Sequence, residues 1–138
     1  MTEKTFPADT AALDDVLSFA EEQLEQAACP PALTMPLLVA IEEMFVNVAH
    51  YAYPDSSGSV QLAVSFEPDS RTVTFRLTDS GIPFDPLARP APDLSLPAAE
   101  RPIGGLGIYM MRKTMDDVQY ERIGGQNILT MRKILPQS

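Results

Sequence analysis

The chain is poor in cysteine, and this excludes two classes of protein. Cys29 is the only cysteine among 138 residues, so no internal disulfide can form and a cysteine-based metal site is excluded. The chain is therefore not a small secreted scaffold that depends on disulfides. Its length fits one domain over residues 1–138, and a hydrophobic content of 45% is enough for a core of that size.

Basic charge is also scarce. The chain has 10 Lys and Arg against 19 Asp and Glu, which gives a formal net charge of −9. Such a surface repels a phosphate backbone, so we expect no direct nucleic-acid partner. One bound nucleotide is still allowed, because backbone amides, a helix N-terminus and a divalent cation can neutralise its phosphates. The acidity favours protein partners.

The sequence contains no recognisable leader. The segment from Met1 to Pro7 carries Glu3 and Lys4 and has no apolar h-region. No later stretch approaches the length of a membrane span. These absences predict a cytoplasmic protein that does not contact a membrane.

Hydrophobic periodicity predicts two long helices in the first half of the chain. Apolar residues at helical spacing indicate a first helix from about Thr10 to Ala28, with Asp9 or Thr10 as its cap. Pro30 and Pro31 end it. A second helix is then predicted from a Thr34 cap to about Ala52, and Pro36 is tolerated in its first turn.

The second half of the chain is predicted to contain strands on both sides of a long loop. Alternating residues predict an antiparallel hairpin of strands 60–66 and 72–78, and strands 118–122 and 128–133 flank a glycine turn. A helix is predicted from the glycine cluster 104–107 to about Met115. Residues 82–103 hold six of the thirteen prolines. A loop of that length is usually a functional lid or a disordered segment.

A polar stripe lies on the second predicted helix, which is otherwise apolar on two sides. Glu43, Asn47 and His50 are spaced by four and three residues, so they lie one above another. Burying a carboxylate and an amide is unfavourable unless they bind a partner or a cation. The stripe indicates a ligand or metal site, and the alternative is a solvated stripe.

Two glycine-containing motifs follow. Asp79-Ser80-Gly81 ends a predicted strand, where the carboxylate can accept a hydrogen bond from a planar ligand that approaches the backbone at the glycine. Gly104-Gly105-Leu106-Gly107 precedes a helix and can hold phosphates with unpaired amides. Each motif alone is also an ordinary turn or glycine loop. No Gly-Lys-Ser/Thr follows, which excludes a P-loop, and the position after a long loop disfavours a Rossmann fold.

In this order, the motifs Glu43-x-x-x-Asn47, Asp79-x-Gly81 and Gly104-Gly105-x-Gly107 resemble the N, G1 and G2 boxes of the GHKL, or Bergerat-fold, ATPases. The resemblance covers about Leu33 to Lys133. It implies an α+β fold, a two-layer α/β sandwich with helices on one face of a mixed β-sheet. The sequence departs from the G1 pattern because Pro83 replaces the second glycine of Asp-x-Gly-x-Gly.

The resemblance also implies roles for single residues in binding ATP and Mg²⁺. Asn47 would coordinate the magnesium, and Glu43 would act as general base toward water or a protein hydroxyl. Asp79 would accept the adenine amino group while Gly81 lets the ring approach. Thr130, on the last strand, matches a threonine that often assists in base binding.

The same resemblance places the phosphates at the third motif. Gly104, Gly105, Leu106 and Gly107 would wrap them, residues 82–103 would form an ATP lid, and Arg101 would lie near the nucleotide. His50 does not match the position of a histidine that these kinases often carry, so we expect a structural or site-lining role for it.

Within the superfamily, the short chain is most similar to the anti-sigma-factor serine/threonine kinases. This implies phosphorylation of a STAS-type anti-sigma-factor antagonist, binding of a sigma factor, and homodimerisation through the first helix or a sheet edge. His50, as the only histidine, leaves no separate phosphoacceptor, so phosphotransfer should go to another protein. Two alternatives remain: a non-catalytic binding module gated by nucleotide, and a regulator whose partner is not a sigma factor.

Overall fold

The computed structural model describes residues 1–88 and 105–136. Within them lie three α-helices and five strands. The helices are α1 (Leu13–Gln26), α2 (Pro31–Tyr51) and α3 (Gly105–Thr114). The strands are β1 (Thr2–Pro7), β2 (Ser59–Glu67), β3 (Thr72–Asp79), β4 (Asp117–Ile123) and β5 (Gln126–Ile134). Short 3₁₀ turns occur at Thr10–Ala12 and Pro86–Ala88.

The strands form one sheet in the order β1-β2-β3-β5-β4. Each of the four pairings is antiparallel, so the predicted two-layer architecture holds but the prediction of a mixed sheet was wrong. Both predicted hairpins are present. Gly124 and Gly125 form the tip of the β4–β5 hairpin with φ of +58° and +78°. Positive φ at both positions suits a two-residue turn whose twist matches the strands.

Strand β1 was not predicted from the sequence. It pairs with β2 at one edge of the sheet, from Thr2 opposite Val64 to Pro7 opposite Ser59. Of its six residues only Phe6 is buried. A strand with one inward apolar side chain lacks the alternating pattern that identifies a half-buried strand, so only the pairing with β2 defines it.

The predicted helix boundaries are close to the observed ones. Asp9 caps the 3₁₀ turn that precedes α1, and not α1 itself, because its side chain accepts a hydrogen bond from the Ala11 amide at 2.9 Å. Helix α2 begins at Pro31, earlier than the predicted Thr34 cap, since proline at the first helical position removes an amide that would have no partner. Pro36 therefore lies inside α2 and not in its first turn.

Helix α2 is the central helix of the core. It packs against α1 and α3, and its buried side chains share one hydrophobic cluster with the strands. By length and composition alone α2 could cross a membrane, with a mean hydropathy of 1.5, so the prediction that no stretch approaches a span was wrong. Its apolar side chains instead bury the inner face of the sheet, including Leu62, Phe75 and Met131.

Candidate functional site

The polar stripe of α2 is buried at Asn47 and becomes more exposed toward its two ends. Asn47 is 7% exposed and Glu43 is half-buried, whereas His50 is exposed and meets the ring of Tyr51 edge-on. Asn47 donates from Nδ2 to the backbone oxygen of Glu43 at 2.7 Å. This bond fixes the amide, so Oδ1 points away from the helix backbone. The solvated-stripe alternative therefore applies to His50 but not to Asn47.

The first turn of α3 lies directly on Glu43. A Cβ atom added at Gly107 would collide with Oε2 of the Glu43 side chain. Glycine at this position therefore lets the helix approach the carboxylate. Because α3 begins at Gly105, the amides of its first turn lie near Glu43, and amides at a helix N-terminus can bind anions. Gly105 and Gly107 thus lie at the predicted phosphate end, with Leu106 between them in the helix.

The Asp79-Ser80-Gly81 motif lies at the other end of the α2 stripe. Gly81 packs on the backbone of Ala52, where an added Cβ would collide with the Ala52 carbonyl. The Ile82 amide also donates to that carbonyl at 2.8 Å. From Glu43 to Ala52 the helix rises about 14 Å, so the two glycine motifs lie at opposite ends of an elongated site.

A pocket lies between these ends, and Asp79 and Asn47 both line it. The rest of its wall is mainly apolar and includes Met44, Val48, Leu77, Phe84, Pro86 and Leu129. A mainly apolar pocket with one carboxylate suits a heteroaromatic base. The enclosed volume is only about 20 Å³, roughly the room for one water molecule. The pocket must therefore widen to take a base, and Phe84 and Pro86 are among the residues that line it.

Asn127 is the site residue that the sequence did not predict. It lies on β5 opposite Asp79 and is 5% exposed. Its Nδ2 donates to Asp79 Oδ1 at 2.9 Å, and Asp79 Oδ1 also accepts from the Gly81 amide at 2.9 Å. Arg122, in the same cross-strand row, donates to the Gly81 carbonyl at 2.7 Å. The predicted strand began at residue 128, one residue after Asn127, so no pattern in the sequence marked Asn127 as a site residue.

Thr130 does not reach the pocket. It pairs with Arg76, three residues before Asp79, so the alternation of side chains places it on the opposite face of the sheet. It is buried among its strand neighbours and does not line the pocket. The structure does not bring Thr130 to the pocket, and Asn127 occupies the cross-strand position beside Asp79.

Two predicted site residues, Arg101 and Gly104, lie outside the described residues, as does most of the predicted lid. The described start of that lid, residues 82–88, contributes Phe84 and Pro86 to the wall of the pocket. Phe84 stacks on Tyr51, with ring centroids 5.5 Å apart. Arg112, on α3, donates to the Leu87 carbonyl at 3.4 Å.

The donor atoms near Asn47 fit a magnesium ion that is held mainly by a ligand. Within residues 1–88 and 105–136 no group of three or more His, Cys, Asp or Glu could hold a metal, so no all-protein cage exists there. Mg²⁺ prefers oxygen ligands and is commonly bound through one or two side chains together with substrate phosphates and water. In the described part of the chain no hydrogen bond reaches Asn47 Oδ1, which leaves this oxygen for a cation.

The fold is shared with solved structures of other proteins. A solved structure of the RsbU and RsbW domains of Rv1364c from Mycobacterium tuberculosis matches all of this chain and 34% of that one, with a TM-score of 0.65 and 15% identity. A blue-light activated histidine kinase from Erythrobacter litoralis matches 78% of this chain and 32% of its own, with a TM-score of 0.57 and 18% identity. At these identities the similarity shows the fold alone.

The chain belongs to the histidine kinase-like ATPase domain family, whose signature matches residues 6–133. Among curated proteins it is 30% identical over 100 residues to the serine-protein kinase RsbW of Bacillus thuringiensis, covering 70% of this chain. The same protein of Bacillus cereus strain AH820 is 29% identical over the same length. The aligned region spans 61% of these relatives. The predicted resemblance and fold class are thus confirmed.

Proposed function

We propose that the chain binds ATP with magnesium and transfers the γ-phosphoryl group to a serine or threonine of another protein. The observation that carries this proposal is the alignment of Glu43 and Asn47 along α2, between the glycine start of α3 and the pocket at Asp79. That arrangement suits a ligand with anionic groups at one end and a flat base at the other. The similarity to proteins named serine-protein kinase supports the reaction type.

In the proposed reaction, Glu43 is the general base. The acceptor hydroxyl attacks the γ-phosphorus, its proton passes to the Glu43 carboxylate, and the bond to the departing ADP oxygen breaks. Positioning and charge stabilisation supply most of the acceleration in phosphoryl transfer. A magnesium ion on Asn47 Oδ1 would neutralise charge on the phosphates. The amides at the start of α3 would hold the transferred group beside Glu43.

For partners, we propose a STAS-type anti-sigma-factor antagonist as the phosphoacceptor and a sigma factor as the second partner. The support is the similarity to RsbW proteins and the structural match to an RsbW domain. We further propose that the chain acts in the cytoplasm, as a homodimer formed through α1 or a sheet edge.

The first test is calorimetric titration of ATP, with and without Mg²⁺, into the wild type and the Asn47→Ala variant. We expect magnesium-dependent binding in the wild type and its loss in the variant, because the alanine removes the cation's oxygen ligand. His50→Ala is the matched control, one turn further along α2 and exposed, and it should bind as the wild type does. Failure of the wild type to bind ATP would refute the proposal.

The second test separates binding from catalysis. Glu43→Gln keeps the size of the side chain but cannot take a proton. It should bind Mg·ATP normally while transfer of label from γ-labelled ATP to a purified STAS-type antagonist falls by about 10²- to 10⁴-fold, the usual contribution of a general base. Unchanged transfer in Glu43→Gln would exclude Glu43 as the base.

The narrow pocket favours a second candidate function, a nucleotide-gated binding module. Because the pocket must widen to take a base, ATP binding would couple to the positions of Phe84 and Pro86, which line it. Such a module would bind Mg·ATP and change its affinity for a partner without labelling it. If the wild type transfers label to the antagonist, the chain is a kinase and the non-catalytic binding module is excluded.

A further inference from the structure

The Asn127 side chain uses all of its hydrogen-bonding capacity. A primary amide has two N–H donors and an oxygen with two acceptor positions. Nδ2 donates to Asp79 Oδ1 at 2.9 Å and to the Ile82 carbonyl at 2.7 Å. Oδ1 accepts from the Tyr120 hydroxyl at 2.5 Å and from the Phe84 amide at 3.3 Å. No donor of this amide remains for a ligand.

Backbone groups determine which way the amide faces. The Ile82 carbonyl can only accept and the Phe84 amide can only donate, so a rotation of the Asn127 amide by half a turn would set like groups against each other at both contacts. The –NH₂ group must therefore face Asp79. These two backbone contacts also bracket Pro83, the residue that replaces the second glycine of the motif, and so fix the turn on both sides of it.

This orientation determines what Asp79 offers the pocket. Oδ1 already accepts two hydrogen bonds, from Asn127 and from the Gly81 amide. None of the described residues donates to Oδ2, and Asp79 lines the pocket. The carboxylate is held at one oxygen and open at the other. The polar group it presents to a base is therefore an acceptor.

We propose that Asn127 is a positioning residue that sets the base specificity of the site. By holding Asp79 Oδ1, it directs Oδ2 toward an exocyclic amino group and against a carbonyl. The site should then select a 6-aminopurine and reject 6-oxopurines, because a carbonyl oxygen would face a fixed carboxylate with no proton between them. The inference rests on the proposed nucleotide binding and adds a residue that acts through Asp79.

The test compares ATP with inosine triphosphate, which has a carbonyl in place of the 6-amino group and a proton on the neighbouring N1. Dissociation constants for both are measured by calorimetry with Mg²⁺ in the wild type, Asn127→Leu and Asn127→Asp. Gln126→Leu is the matched control, since Gln126 is the exposed neighbour on β5. In Asn127→Leu the preference for ATP should fall by about tenfold to a hundredfold, the effect of losing a hydrogen bond to a charged group. Gln126→Leu should keep the wild-type preference.

The Asn127→Asp variant supplies a readout that a purely structural role would not change. Two carboxylates in contact share a proton, and their repulsion raises the apparent pKa of the pair above the ordinary range. Below that pKa the shared proton holds Asp79 as the amide does. Above it both groups are ionised and Asp79 is pushed away. The ATP preference of this variant should therefore decrease as the pH rises through the pKa of the pair, and the wild type measured over the same pH range is the reference.

The outcomes separate the two proposals. A wild type that binds neither nucleotide refutes the proposed function. A wild type that prefers ATP, with the same preference in a folded Asn127→Leu variant, overturns the role of Asn127 alone. If Asn127→Leu does not fold, the Asn127→Asp variant decides, because it is nearly isosteric. A preference that does not change with pH in that variant would count against the inference.

Discussion

The two ends of the site are built differently. At the base end, Asp79, Gly81 and Asn127 bind one another, and the backbone of α2 packs against the turn. At the phosphate end, the described contact to the Glu43 side chain is the close approach of Gly107. The base end therefore keeps its shape through protein contacts, whereas the geometry of the phosphate end depends on a flexible side chain. The same glycine-to-alanine substitution should therefore change stability and activity differently at the two ends.

Gly81→Ala should give the largest change at the base end. Its Cβ would meet the backbone of Ala52, which cannot turn aside as a side chain can. We expect a loss of about 1–3 kcal/mol in the free energy of unfolding, as for other overpacked sites, together with weaker ATP binding. Chemical denaturation of the variant and the wild type measures this. An unchanged unfolding midpoint would show that α2 can move away from the turn.

Gly107→Ala is the matched substitution at the phosphate end. Its Cβ would meet the Glu43 carboxylate, which can rotate away, and alanine favours a helix over glycine by up to about 1 kcal/mol. Stability should therefore be unchanged or slightly higher, while phosphotransfer falls by about tenfold or more because the base is misplaced. Labelling of the antagonist and thermal unfolding are measured on the same sample. If Gly107→Ala lost stability and kept normal phosphotransfer, the phosphate end would behave in the opposite way to this expectation.

Thr130→Val should have the smallest effect. Thr130 lies on the face of the sheet opposite the pocket, so removing its hydroxyl should leave the affinity for ATP within about twofold of the wild-type value, a difference below 0.5 kcal/mol. Calorimetric titration measures the affinity. A larger loss would show that Thr130 contributes to base binding after all, and would weaken the assignment of that position to Asn127.

Much of the fold could be predicted from periodicity. The second helix and both hairpins follow from apolar spacing, and the observed α2, β2, β3, β4 and β5 lie close to the predicted ranges. Glu43 and Asn47 were predicted together because one helix carries them. Asp79 and Gly81 were predicted because a strand ends there. Local pattern is sufficient when the residues that act together are close in sequence.

Two of the errors, the missed strand β1 and the placement of Thr130 at the site, have one physical cause, the pairing of distant strands. Strand β1 exists through its contact with β2, and one buried side chain, Phe6, gives it no pattern of its own. The choice between Thr130 and Asn127 depends on the register of β3 against β5. A shift of one residue would turn every side chain to the other face, and no single segment of sequence contains that register.

Strand β1 also protects one edge of the sheet, that of β2, from pairing with another chain. It covers the edge of β2, where Val60, Leu62 and Val64 are buried. Its own exposed side chains include Glu3 and Lys4, and it ends in Pro7, features that discourage pairing with another chain at a sheet edge. Peeling β1 away would expose the hydrogen-bonding groups of an apolar strand and give an aggregation-prone edge. Versions of the chain in which these first residues are deleted or masked should therefore lose solubility before they lose the pocket at Asp79.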